Sequence, residues 1–155
     1  MEEVKTMEKA SDEAMDAVQY IVVKIGNEQY GINIQYIDNI VRMQKITRVP
    51  KVQTYFKGVI NLRGEIIPVM SIRLKLGLED DNYTDKTRII IIKVDGATIG
   101  VIVDQVKEVV TLESTDIETV ARSGSLVGSG YISAIGKSND ELISLLDIVA
   151  LIEES

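Results

Sequence analysis

From Tyr20 onward, polar and apolar residues alternate or gather in short β-branched runs, which is the texture of strands. Turn signals at Gly26-Asn27 and Asp95-Gly96 punctuate these runs. The pattern then repeats itself. Lys24–Val41 aligns without a gap on Lys93–Val110 at a constant offset of 69, so Gly31 meets Gly100, Ile34 meets Val103, Ile37 meets Val106 and Ile40 meets Val109. A second correspondence, at an offset of 76, sets Ile66–Ile72 against Leu142–Ile148 and pairs Ser71 with Asp147. Both residue types cap helices by accepting a backbone N–H, so each is expected to end a strand and open a short helix, over 72–76 and 148–153. The extra residues of the second half fall in Arg122–Gly130, whose three glycines and three serines predict a loop.

Each half therefore offers about five short strands and a terminal helix, the content of a small barrel that closes to avoid exposed edges. The expected layout is an acidic lead at 1–17, a first barrel over 18–80 and a second over 86–155. In the lead, Glu2, Glu3, Glu8, Asp12, Glu13 and Asp16 outnumber Lys5 and Lys9 around an incomplete apolar stripe, so a frayed helix or a disordered segment is expected.

The most informative stretch is Gly58–Val69. Arg63-Gly64 interrupts two apolar runs, and the φ > 0 freedom of Gly64 suits a tight hairpin with Arg63 at its tip. A guanidinium there is either a solvated turn charge or a fork aimed at a carboxylate or backbone carbonyls. Pro68, lacking an N–H, belongs at an edge or a bulge.

Composition narrows the chemistry. With no cysteine and no histidine among 155 residues, thiolate catalysis, zinc-thiolate sites and the commonest general base are all missing. A net charge of −7 argues against nucleic acid, and the 5% of aromatic residues are too scattered for base stacking. No apolar run reaches the ~18 residues of a membrane span, so a cytoplasmic protein without direct membrane insertion is expected. Gly130–Ser138 misses a phosphate loop because Tyr131 stands where glycine is required, and Lys137–Glu141 reads as a hairpin turn. The acids of Glu79–Asp85 lack calcium-loop spacing, and Asp104 and Glu108 read as salt-bridged surface residues. No cofactor, metal or catalytic residue is expected.

Gly58–Val69, continued through Ser71-Ile72-Arg73-Leu74-Lys75-Leu76-Gly77-Leu78, resembles the G-V-x-N-L-R-G-x-I-x-P-V-x-D-L-R motif of the CheW family of bacterial chemotaxis adaptors. The likeness extends from Gln19 to the C-terminus and departs at Ser71, where the family usually has Asp. It implies two five-stranded SH3- or OB-like barrels with some elements exchanged between them, so that the boundaries above are approximate, and a non-enzymatic adaptor joining chemoreceptors to a histidine autokinase. One implied surface, Gly58, Val59, Asn61, Leu62 and Arg63, would bind the regulatory domain of the kinase CheA, with Gly58 serving close approach. The other, Ile34, Ile37, Ile40, Val101 and Val103 at the seam between barrels, would hold the cytoplasmic helical tip of methyl-accepting chemoreceptors. Core packing is the competing account of those spaced aliphatics. The rival function is a barrel binding a small ligand or an oligosaccharide, which would call for an aromatic-lined mouth.

Overall fold

A computed structural model describes residues 17–119 and 130–153. The acidic lead before Ala17 and the Gly/Ser stretch before Gly130 lie outside the described residues. The fold is mainly β, in two sheets. The first runs β8-β1-β2-β11-β10-β9: Gln105–Leu112, Val18–Ile25, Glu28–Asn33, Glu141–Leu146, Ile132–Ser138 and Ile117–Thr119. The second runs β3-β6-β7-β5-β4: Ile37–Arg42, Arg88–Val94, Ala97–Val103, Glu65–Ser71 and Phe56–Leu62. Two short helices follow the hairpins β4–β5 and β10–β11: α1, Ile72–Lys75, and α2, Ile148–Glu153.

The two strand orders are the same order under the sequence repeat. Replacing each strand of β3-β6-β7-β5-β4 by its duplicate yields β8-β1-β2-β11-β10. The register repeats too. Val69 pairs in parallel with Gly100, and their respective duplicates, Leu145 and Gly31, pair in parallel with each other. Hairpins β1–β2 and β6–β7 are nevertheless exchanged. Each sheet takes one hairpin from the other half, so neither 18–80 nor 86–155 supplies a whole sheet.

Both barrels close by one device. β8 bends through a 3-10 turn at Ser114–Asp116 into β9, which pairs with β10 at the far edge. The chain after β3 likewise bends to bridge Thr47 to Val59 of β4, through reciprocal backbone bonds of 2.8 Å. Pro68 lies inside hairpin β4–β5 opposite Val59, just before β5 begins its parallel pairing with β7 at Val69, so its missing N–H breaks no ladder.

Three apolar clusters explain the β-branched runs. Ile60, Ile67, Val69, Ile89, Ile91 and Ile102 fill one barrel, and Val22, Leu112, Ala134, Ile143 and Leu145 fill the other. The largest cluster draws on both sheets, with Ile21, Val23, Ile25 and Ile32 against Ile90, Ile92, Val101 and Val103. β1, β6 and β7 are thus buried on both faces, which is why they read as continuous apolar runs. The helix caps are duplicates as well: Ser71 Oγ accepts the Leu74 N–H at 3.2 Å, and Asp147 Oδ1 accepts the Ala150 N–H at 3.1 Å.

Candidate functional site

Hairpin β4–β5 turns in two residues. Leu62 faces Glu65, and both loop residues take positive φ, Arg63 at 54° and Gly64 at 85°. This is the type I′ turn that matches strand twist, and Gly64 occupies its φ > 0 position without steric cost. Asn61 Oδ1 accepts the Gly64 N–H at 2.9 Å and pins the tip. Arg63 projects into solvent, and among the described residues its side chain makes no hydrogen bond or ion pair.

Alternation sorts the rest of the hairpin. Ile60 and Ile67 point into the barrel, while Val59 faces Pro68 and Asn61 faces Ile66 on the outer side. Ile66 is 60% exposed, an unusual position for isoleucine. Leu62 leans on the barrel core. Gly58 does not reach the surface. It is buried at φ 139°, and a Cβ there would lie 2.1 Å from the Thr47 carbonyl oxygen. Its role is to let the closing segment 46–47 approach β4. The outer face of Val59, Asn61, Ile66 and Pro68, topped by Arg63, is therefore the surface this hairpin presents. Period-two alternation carried across the turn adds Ile66 and Pro68, both fixed letters of the family motif, to this face. A groove of about 1070 Å³ adjoins the start of β4, lined by Val49, Val52, Phe56 and Tyr83 with Arg48 and Lys51.

The seam residues divide. Asn33 caps the 3-10 turn Ile34–Tyr36, accepting the Gln35 N–H at 3.0 Å, where the chain crosses from one sheet to the other. Ile34 is 37% exposed there, and Ile37 and Ile40 are half-buried on the shared core. Val101 and Val103 are 0% exposed. They belong to the shared core and cannot touch a partner, because β7 is covered on both faces. The seam surface reduces to Ile34, Ile37 and Ile40.

These two surfaces sit on an architecture with known relatives. Residues 19–155 match the family model described as a CheW-like domain. The chain belongs to the CheW family. It is similar to the chemotaxis protein CheW of Bacillus subtilis, 34% identical over 152 residues that span 98% of this chain and 91% of that protein. With the chemotaxis protein CheW of Thermotoga maritima it shares 30% identity over 148 residues, 94% of this chain and 95% of the other. Among solved structures it resembles the scaffolding protein TtCheW from Thermoanaerobacter tengcongensis, with a TM-score of 0.80 at 29% identity, covering 88% of this chain and 92% of that one. The chain is accordingly a chemotaxis coupling adaptor of the CheW kind.

One departure from the CheW motif has a structural answer. Where the family usually has Asp, this chain has Ser71, fully buried, and its hydroxyl donates to the carboxylate of Asp81 from the segment after α1. Burial pushes the Asp81 carboxyl above the usual range, against the lowering effect of the Ser71 hydroxyl. The acid thus arrives from further along the chain. At the other crossover, burial also pushes Asp104 upward, but hydrogen bonds from Arg73 and the Gly26 N–H outweigh it and hold Asp104 below the usual carboxylate range. Asp104 is ion-paired, with Arg73 Nη2 at 2.5 Å, in line with the salt-bridged reading of its sequence. Gly130–Ser138 runs into β10 and the Asn139-Asp140 turn, with no helix to receive phosphate. Among the described residues, no helix is long and apolar enough to cross a membrane.

Proposed function

We propose that this chain joins the regulatory domain of the histidine autokinase CheA to the cytoplasmic tip of methyl-accepting chemoreceptors, through contacts alone. The observation that carries the reading is the β4–β5 tip. A guanidinium without a side-chain partner among the described residues stands over an exposed apolar face that includes Ile66. An arginine beside apolar surface is the composition of a protein interface, where the fork supplies direction and the aliphatics supply area. Arg63, Val59, Asn61, Ile66 and Pro68 form the kinase surface, with Leu62 and Gly58 supporting it from within. Ile34, Ile37 and Ile40 receive the receptor's helical tip, read as anchors at helical spacing.

No bond is made or broken in this role. Receptor packing alters kinase output only when the adaptor's contacts differ between signalling states, and a coupling of ~1 to 3 kcal/mol suffices. The test reconstitutes receptor-containing membranes, purified kinase and the adaptor. Arg63→Ala is expected to stay folded, to co-sediment, and to lower receptor-stimulated kinase activity. Full stimulation by that variant refutes the role assigned to Arg63, and failure of the parent chain to co-sediment refutes the adaptor reading itself.

A further inference from the structure

The two points where the chain crosses between sheets are duplicates, Gln35 corresponding to Asp104 under the first offset, yet they are built differently. The first is the 3-10 turn that exposes Ile34. The second is fastened. The Asp104 N–H donates to the Lys24 carbonyl at 3.1 Å, and Asp104 Oδ2 accepts the Gly26 N–H of the β1–β2 turn at 2.8 Å. Arg73 of α1 grips the same carboxylate with two nitrogens, Nε to Oδ1 at 2.9 Å and Nη2 to Oδ2 at 2.5 Å. The side chains of this pair are only 19% and 27% exposed, so water screens it less than an ordinary surface pair.

Further along α1, Lys75 makes a second contact across the seam. Its ammonium lies 3.9 Å from the ring centre of Tyr55 and 5.4 Å from that of Tyr131, both within cation–π range. The tyrosines are themselves duplicates under the second offset. Each uses its carbonyl to accept a helix-cap N–H at 2.7 Å, Ser71 for Tyr55 and Asp147 for Tyr131. Tyr55 leads into β4 of one sheet and Tyr131 into β10 of the other, so a single cation joins equivalent points of both barrels. In α2 the positions matching Arg73 and Lys75 are Val149 and Leu151, and Leu151 is fully buried. The duplicate helix is held by apolar packing, with Ile148 and Leu151 buried. α1 has only Ile72 buried and is held by directional contacts.

We infer that α1 sets the angle between the two barrels, with Arg73 and Lys75 as the positioning residues. Resting on the adaptor reading above, this makes α1 the element that fixes the second barrel, which feeds the chain into the Ile34 crossover, relative to the barrel that carries Ile37, Ile40 and the Arg63 hairpin. Directional charge contacts add a constraint on orientation at the rim of the shared apolar core.

The test uses the isolated chain, so its outcome does not depend on any partner. The native sequence contains no cysteine, so Asp95→Cys and Asp140→Cys, at the tips of hairpins in opposite sheets, give a uniquely spin-labelled pair. In the parent background, pulsed dipolar spectroscopy is expected to show one narrow distance distribution. Arg73→Met combined with Lys75→Met is expected to broaden or displace it, while Lys75→Arg, which keeps the cation, is expected to preserve the parent width that Lys75→Met loses. A parent-like distribution in the double variant overturns the inference. Should the double variant lose its fold, Tyr131→Leu against Tyr131→Phe decides: broadening with Leu and none with Phe supports the inference, and no difference between them overturns it.

Discussion

Gly58→Ala separates backbone strain from collision at the point where the first barrel closes. An added Cβ would sit 2.1 Å from the Thr47 carbonyl oxygen and 2.8 Å from its carbonyl carbon, both backbone atoms that no rotamer change can move. The residue also holds φ at 139°, a region nearly reserved for glycine, where a side chain costs ~1–3 kcal/mol. Relief requires segment 46–47 to retreat from β4, which weakens the two 2.8 Å bonds between Thr47 and Val59, each worth ~0.5–1.5 kcal/mol net. The expected loss is about 3 kcal/mol, roughly 10 °C in Tm for a chain of this size. Gly64→Ala is the control. It sits at φ 85° with nothing within 4 Å of the added atom, so only conformational cost remains, ~1 kcal/mol. Thermal and urea denaturation measure the difference, and amide exchange localises it. Equal losses for the two variants, with Thr47 and Val59 amides protected as in the parent, refute the reasoning.

Three further outcomes follow from the same geometry. Ile34→Glu is expected to weaken receptor capture by more than ~2 kcal/mol, because a charge would face a desolvated helix, and pull-down by a folded variant at parent strength refutes the seam surface. Asp81→Asn is expected to raise stability at neutral pH. The Asp81 pKa is raised by burial, so its contribution is greatest below the unfolded value near ~3.9 and is lost as pH rises through the folded value, and the variant should flatten that fall in urea melts across pH. Asp104→Asn tests the opposite sign: with its pKa held low, Asp104 stabilises above the unfolded value and loses that contribution as pH falls through the folded one, so the variant is expected to be less stable at neutral pH and less acid-sensitive.

Much of this arrangement could be read from the residues because the repeat carries structure with it. The offsets of 69 and 76 anticipate the matched register of Val69 with Gly100 and Leu145 with Gly31, and the paired caps Ser71 and Asp147. Arg63-Gly64 announces a two-residue turn by its chemistry alone. The exchange of β1–β2 with β6–β7 left no such mark, since similarity between segments says nothing about which sheet each one joins. Val101 and Val103 failed as surface residues for a related reason. Where both faces of a strand are apolar, period two cannot tell which face meets solvent, and here neither does. Ile66 stands in the motif, but its outward position within the apolar run emerges only from the hairpin register. The Arg73–Asp104 pair is remote in sequence and joins two elements that only the exchange brings together.

That exchange bears on how a contact made on one barrel reaches the other. Two barrels joined by one linker would transmit a push only through whatever surface they share. Here the chain crosses between sheets at Ile34–Tyr36 and again at Asp104, and a single apolar cluster fills the space between them. A partner pressing on Ile34 pushes a crossover segment whose next residues, Ile37 to Arg42, form an edge strand of the sheet that carries the Arg63 hairpin. Interiors packed this closely resist gradual deformation and respond by switching between discrete packings. Under the proposed reading no moving lid is needed: the double crossover makes the Ile34 surface and the Arg63 surface parts of one packed body.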